Sequence, residues 1–398
     1  MVTIEQEVRE YTGFDFYDMD TRLTDKQRAT RDRVRAFVNE EILPNINPYW
    51  EKAEFPHEIA LKMRDLGIIG GVIPTHGAAG LDMIEMGLTM YELAKGDGSM
   101  STFYGVHSGL AMGSIAFLGS EEQKDRWLPA MARLEKIGAF GLTEPNVGSN
   151  AVKVQTTVTQ DGDDFILNGA KRWIGNAEIA DILIIYARDE DGKFGGYVIE
   201  DPQQVEGVTI TNIGGKIGKR AVLNADIVLE NVRIPAENKL ANCHSFRHLA
   251  PVLGGGRYGV ACEAAGCAAG AFEHALKYAK EREQFGKPIA AFQLIQSKLV
   301  EMATEVTLMQ TLCFRLGELA NTWQMTEGQV SMAKYNNANK ARRVTQLARE
   351  TLGGNGIVID NHIARLWTDA EVIYTYEGTN EINLLLVGRD LTGENAIF

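Results

Sequence analysis

Apolar positions recur at helical spacing through the first third of the chain, at strand spacing through the middle, and at helical spacing again towards the end. Val34, Phe37, Val38 and Ile42 fall three or four residues apart and stop at Pro44, the pattern of an amphipathic helix that a proline ends. Ahead of them, Thr24-Asp25-Lys26-Gln27 has the form of a capping box, in which hydroxyl and amide side chains satisfy each other's backbone N–H groups. Ser120-Glu121-Glu122-Gln123 predicts a second such start, for a helix carrying Trp127 and Met131, and the loop Pro74–Gly80 separates two earlier helices.

Near residue 138 the period changes to two. Val152, Val154, Thr156 and Val158 alternate with polar residues; Ile182–Tyr186, Gly196–Ile199 and Ile227–Leu229 follow, parted by Asp-Gly and Asn-Gly turns. No long helical pattern intervenes, so the strands predict an antiparallel or barrel-like sheet. Past residue 246 helices are predicted over Tyr258–Glu283, Phe292–Trp323 and Glu327–Leu352, the last opened by Thr326 and Gln329 and stopped at Gly353-Gly354-Asn355-Gly356. Helices this long exceed what propensity alone supports, so they pack as a bundle. The expected fold is α+β and multidomain: an N-terminal helical domain (1–137), a central antiparallel β-barrel-like domain (138–240) and a C-terminal helical bundle (241–398).

Length agrees, since 398 residues are too many for one core. With Lys+Arg 40 against Asp+Glu 53 the net charge is −13, which argues against nucleic acid or an anionic membrane as partner. No apolar run reaches the length of a membrane span. Met1–Asp20 is rich in acidic and aromatic residues, unlike a secretory or transit signal, and the chain ends Ala396-Ile397-Phe398 without a peroxisomal signal, so the cytoplasm is expected. Cys243, Cys262, Cys267 and Cys313 lack metal-ligand spacing. His244 and His248, four apart, could share a helix face, yet nothing completes a zinc site, and no metal is expected.

The candidate chemistry lies at Tyr374-Thr375-Tyr376-Glu377-Gly378-Thr379. A carboxylate among aromatic side chains has its charged form disfavoured, so its pKa rises and it can act as a general base near neutral pH. Gly378 permits a sharp turn that aims Glu377 into a cleft. Taken alone, Glu377 also reads as a solvated residue near a helix N-terminus.

The order of the three regions, with Glu377, resembles the acyl-CoA dehydrogenase family over essentially the whole chain. Four segments carry the likeness besides the base: Phe140–Ser149, Lys171–Asn176, Arg282–Gly286 and Leu352–Gly356. The resemblance implies FAD as cofactor, with Phe140, Leu142, Thr143, Ser149, Trp173 and Gly175 against the flavin. It adds Arg282, Phe285, Glu350, Gly353, Gly354, Thr379 and Glu381 as further FAD contacts. Backbone N–H groups near Leu142 can stabilise a reduced flavin, Trp173 can cover one ring face, and Arg282 offers a planar fork to a pyrophosphate. Without their neighbours, Trp173 reads as a core aromatic and Arg282 as a solvated charge.

The family likeness further implies Glu377 as catalytic base, with Ser149, Arg257, Tyr376 and Gly378 on the acyl-CoA. Some members place the base beside the glycine-rich turn before Arg257; Gly254-Gly255-Gly256 offers no carboxylate there. The implied reaction converts an acyl-CoA to a trans-2-enoyl-CoA, with electrons passed to an electron-transfer flavoprotein. The implied assembly is a homo-oligomer, a dimer of dimers, in which the last two FAD segments reach a neighbouring subunit.

The chain is most similar to the branch of glutaryl-CoA dehydrogenases and short-chain acyl-CoA oxidases. Ser101 and Ala94 stand where glutaryl-specific members have an arginine and its acidic partner, so a short saturated acyl chain is expected over glutaryl-CoA. Gly175 replaces a threonine whose hydroxyl meets the flavin, which leaves an oxidase open as an alternative. A DNA-binding branch of the family relies on a basic C-terminal region that this chain lacks, and the retained flavin motifs argue against a non-catalytic scaffold.

Overall fold

The computed structural model describes residues 13–397, so most of the Met1–Asp20 stretch and the terminal Phe398 lie outside the described residues. Seven helices come first: α1 (Asp25–Phe37), α2 (Ile46–Lys52), α3 (His57–Lys62), α4 (Met83–Gly96), α5 (Gly98–Tyr104), α6 (Met112–Leu118) and α7 (Glu121–Ala132). The capping boxes at Thr24 and Ser120 are formed, and Asp82 with Glu85 makes another at α4. Between α5 and α6 the helix does not break; Gly105–Ala111 widens into a π-helical stretch, a form that recurs at functional sites.

Seven strands follow: β1 (Gly138–Gly141), β2 (Thr157–Asp161), β3 (Asp164–Gly175), β4 (Ile182–Arg188), β5 (Phe194–Glu200), β6 (Val208–Asn212) and β7 (Asn224–Pro235). They form one sheet in the order β1-β4-β2-β3-β7-β6, with β5 also on β4. The sheet is the expected barrel-like one, mostly antiparallel, with β4 running parallel to β1 and to β2. The alternation from Val152 to Val158 is not one strand either. Ala151–Lys153 is a helical turn, and Glu144 accepts hydrogen bonds from the Gln155 and Thr156 N–H groups (2.6 and 2.9 Å), taking donors that a ladder would need.

Ile182–Tyr186 explains itself by position. Ile182, Ile184 and Tyr186 join the helical core, while Leu183, Ile185 and Ala187 fill the core on the sheet's other face. A strand buried on both sides reads as an unbroken apolar run.

The C-terminal part contains α8 (Ala250–Glu281), a two-residue-per-strand hairpin of β8 (Glu283–Gln284) and β9 (Lys287–Pro288), then α9 (Gln293–Asn321), α10 (Glu327–Thr351), α11 (Ile363–Thr375) and α12 (Asn380–Thr392). The predicted start of α8 at Tyr258 is eight residues late. Pro251 lies in the first turn, where it needs no donor, and Gly254-Gly255-Gly256 is helix rather than turn. Helix α8 is the axis of the fold. A Cβ at Gly266 would sit 2.0 Å from the Tyr91 carbonyl oxygen and one at Gly270 2.5 Å from that of Lys95. Only glycine lets α4 approach α8 so closely.

Among the described residues no helix is long and apolar enough to cross a membrane. The four cysteines are buried and free. His244 and His248 do not share a helix face: they lie in the turn before α8, where His248 Nδ1 meets the Asn242 carbonyl at 2.9 Å. Among the described residues no group of His, Cys, Asp and Glu could hold a metal.

Candidate active site

Helix α11 ends at Thr375, and two successive residues then take left-handed backbone, Glu377 at φ 56° and Gly378 at φ 81°. For Glu377 this costs roughly 1–2 kcal/mol, so the surroundings must hold it. Three devices do. Thr379 caps α12, its hydroxyl accepting from the Ile382 N–H at 3.2 Å. The fully buried Asn383 amide donates to the Gly378 and Thr379 carbonyls at 2.9 and 3.1 Å. The equally buried Lys334, from α10, donates to the carbonyls of Tyr374 (3.0 Å) and Gly378 (2.9 Å).

The turn aims the Glu377 carboxylate at α8. A Cβ on Gly256 would lie 3.0 Å from Glu377 Oε2 and 3.4 Å from Leu110 Cδ2, so carboxylate, helix and π-helical stretch meet at one point. Burial pushes the Glu377 pKa up; the Arg257 and Lys334 cations pull it down, and Glu263 adds to the rise. The net is a carboxylate above its ordinary range, as a base working near neutrality requires. Arg257 is itself held by Glu327 at 3.0 Å, and Glu327 also binds Arg389 at 2.7 Å. The Glu377 amide N–H has no acceptor among the described residues.

Tyr376 reaches α8 seven residues further along than Gly256, in a buried polar cluster of Glu263, Lys219, Ser101 and Thr102. Lys219, in the β6–β7 loop, and Glu263, on α8, were not singled out by sequence. Glu263 left a signal there: it is the lone charged residue in the apolar run Val260–Ala271. Lys219, Lys334 and Asn383 left none.

The two segments of β1 and β3 lie side by side, joined by the Arg172 N–H to the Thr143 carbonyl at 2.8 Å. Beneath them the buried Lys171 bonds Glu144 (2.8 Å) and the Leu142 and Tyr186 carbonyls (3.3 and 2.6 Å). The β3–β7 register slips between Lys171 and Ile174, and Trp173 at φ 65° is turned outward, 52% exposed, with the Arg172 guanidinium 5.1 Å from its ring centre. Trp173 is therefore not a core aromatic. Phe140 packs on Tyr186 at 5.2 Å, and Leu142 is buried. Thr143 is half-buried and Ser149 exposed. A Cβ at Gly175 would meet Val106 Cγ2 at 3.2 Å, tighter than an ordinary contact.

Arg282, Phe285, Gly353 and Gly354 are elsewhere. Asn355 Nδ2 donates to the Tyr278 hydroxyl at 2.9 Å, tying the glycine loop to the far end of α8. The 26 helical steps from Gly256 to Arg282 span about 39 Å. Glu350 belongs to this far group and pairs with Lys298 at 2.8 Å, whereas Glu381 stands on α12 near the base and accepts from Tyr374 at 3.2 Å. The sequence-predicted residues thus fall in three groups, one around Glu377, one on β1, β3 and the turn after β1, and one at the other end of α8.

Three family models match: the acyl-CoA dehydrogenase N-terminal domain over residues 24–135, the middle domain over 139–232 and the C-terminal domain over 246–392. A probable acyl-CoA dehydrogenase, YngJ, of Bacillus subtilis is 35% identical, over 94% of this chain and 100% of its own. The caffeyl-CoA reductase-Etf complex subunit CarC of Acetobacterium woodii is 32% identical, over 92% of this chain and 97% of its own. A glutaryl-CoA dehydrogenase of Mycobacterium smegmatis, solved in complex with FADH2, superposes with a TM-score of 0.93 at 36% identity, over 96% of this chain and 98% of that one.

Proposed function

The chain belongs to the acyl-CoA dehydrogenase family, and we propose that it removes the α proton of a short-chain acyl-CoA with Glu377 as base, yielding a trans-2-enoyl-CoA. It is an FAD-dependent oxidoreductase of that family. Its residues fit a flat aromatic cofactor: Trp173 presents a large ring at the surface, and a Cβ at Gly353 or Gly354 would meet nothing within 4 Å. Phe140, Leu142, Thr143, Ser149, Trp173 and Gly175 would hold the flavin end; Thr379 and Glu381 would approach it from α12. Bound FAD supplies the acceptor for the β-hydrogen, which leaves as hydride.

The observation that carries the reading is the Glu377 turn. Its carboxylate sits in a half-buried cleft with a raised pKa, beside an amide N–H that lacks an acceptor among the described residues. That N–H can polarise the thioester carbonyl, a contribution of roughly 3–4 kcal/mol to the barrier, while the carboxylate takes the proton. Arg257, Tyr376, Gly378 and Ser149 would position the acyl-CoA. A short chain is favoured because Tyr376, Thr102 and the Glu263–Lys219 pair stand only about two helical turns along α8 from Gly256.

For the acceptor, an electron-transfer flavoprotein is favoured by the likeness to an Etf-complex subunit. An oxidase remains the second reading, because Gly175 carries no hydroxyl to meet the flavin and Val106 fills that space. The far cluster supports a homo-oligomer, a dimer of dimers: Arg282 is exposed and Phe285 is 93% exposed, about 39 Å along α8 from their own Gly256, so they would serve a neighbour's FAD.

The experiment is anaerobic addition of butyryl-CoA to the purified holoprotein. Loss of the oxidised flavin spectrum is expected, and Glu377→Gln should slow it by several orders of magnitude while keeping FAD, since an amide cannot accept the proton. Near-normal reduction by the variant would place the base elsewhere. Peroxide released at the dye-linked rate would establish the oxidase reading.

A further inference from the structure

The polar cluster behind Tyr376 takes no part in the proton abstraction described above. The continuous helix from Gly98 to Leu118 runs antiparallel to α8 along the cleft: Leu110 meets Gly256 beside the base, and nine residues back Ser101 bonds Glu263, seven residues on along α8. Seven helical residues place the cluster about 10 Å deeper than Gly256. Lys219, 2% exposed, uses all three ammonium N–H groups on Glu263, Thr102 Oγ1 (2.7 Å) and the Tyr376 hydroxyl. Glu263, 1% exposed, accepts from Lys219, Ser101 and Tyr376. The pair is saturated and neutral as a unit. Thr102 and Tyr376 are the half-buried members of the cluster; the Tyr376 hydroxyl already donates to Glu263 and accepts from Lys219, whereas the Thr102 hydroxyl accepts from Lys219 and keeps its own proton to donate.

We propose that this cluster receives the far end of the acyl chain and selects a tail bearing a neutral hydrogen-bonding group, a hydroxyl or a carbonyl; the proposal rests on the dehydrogenation reading above. A plain alkyl tail would cover the Thr102 hydroxyl without offering its proton an acceptor. Burying two ions costs several kcal/mol each before their attraction is counted, and an alkyl-lined end would need neither. A carboxylate tail meets the opposite difficulty. Lys219 supplies the cation that Ser101 and Ala94 do not, but it has no free donor, and Glu263 stands beside it with like charge. A hydroxyl or carbonyl can bond the rotatable Thr102 hydroxyl and leave the charge balance intact.

The test compares flavin reduction of the holoenzyme by butyryl-CoA, hexanoyl-CoA, 6-hydroxyhexanoyl-CoA and adipyl-CoA. The hydroxylated thioester should exceed hexanoyl-CoA in kcat/KM by about tenfold, the value of one good hydrogen bond, and adipyl-CoA should be slowest. Thr102→Val should lower that ratio several-fold, and Lys219→Met with Glu263→Leu should erase it. Equal rates for hexanoyl and hydroxyhexanoyl thioesters, or a ratio unmoved by Thr102→Val, would make the cluster a purely structural pair. Adipyl-CoA as best substrate would mean that Lys219 recruits a carboxylate, which also overturns the proposal. Should the double variant not fold, Thr102→Val decides alone. Reduction by butyryl-CoA without tail discrimination refutes this inference only; failure of all four thioesters refutes dehydrogenation with it.

Discussion

Replacing Lys334 by methionine removes one cation and two hydrogen bonds from the turn that carries the base. Lys334 is fully buried, its pKa is pushed down to about 8 by burial, and at pH 7 it still holds its proton. It donates to the Tyr374 and Gly378 carbonyls on either side of Glu377, at 3.0 and 2.9 Å. Bonds from a charged donor contribute about 1.5–3 kcal/mol each, and methionine fills the space but offers no donor, so the variant should lose about 3–6 kcal/mol of stability. Two such bonds sum to about 3–6 kcal/mol, more than the ~1–2 kcal/mol left-handed cost of Glu377, so the turn should also relax. Electrostatically the sign is equally definite. A cation near a carboxylate lowers its pKa, so without Lys334 the Glu377 pKa rises further and the acid limb of the kcat/KM profile for butyryl-CoA moves to higher pH. Thermal unfolding of the holoprotein reads the first effect and the pH profile the second. An unchanged unfolding temperature together with an acid limb that stays or moves down would refute the account of how the base is held.

Lys171→Met leaves Glu144 unpaired under the flavin-side segments, both residues being almost wholly buried, and should cost about 3–5 kcal/mol in chemical denaturation. Gly175→Ala should destabilise by about 1–3 kcal/mol through its contact with Val106, and Val106→Ala in the same chain should restore most of the loss in unfolding temperature. His107 is buried neutral, accepting from the Gly138 N–H at 2.9 Å, with its pKa pushed down from 6.5 to about 4. The unfolded chain therefore binds the extra proton between those values, and stability should fall with acidification by up to ~1.4 kcal/mol per pH unit; His107→Gln should flatten that slope in urea titrations.

Helix starts were legible because their chemistry is local: Thr24, Ser120 and Thr326 each cap with a glutamine three residues on, all within one turn of chain. The strand expected from Val152 to Val158 failed because a residue eight or more positions earlier, Glu144, takes its backbone donors. Parallel pairing of β1 with β4 was hidden for the same reason, since strand neighbours are set by the whole sheet. At the site, Glu377 and Trp173 stood out within their own motifs. Lys334 and Asn383 did not, because what they do is bond carbonyls of a turn that exists only once α10, α11 and α12 have packed.

The left-handed backbone at Glu377 means that a search for greater heat resistance would favour its removal. Glycine at position 377 would adopt the same turn with no steric penalty, and it would take away a carboxylate that burial disfavours. If Glu377 is the base, such a chain would outlast its parent in a melting experiment and convert no acyl-CoA. On the proposed reading, durability and chemistry ask for different residues at position 377.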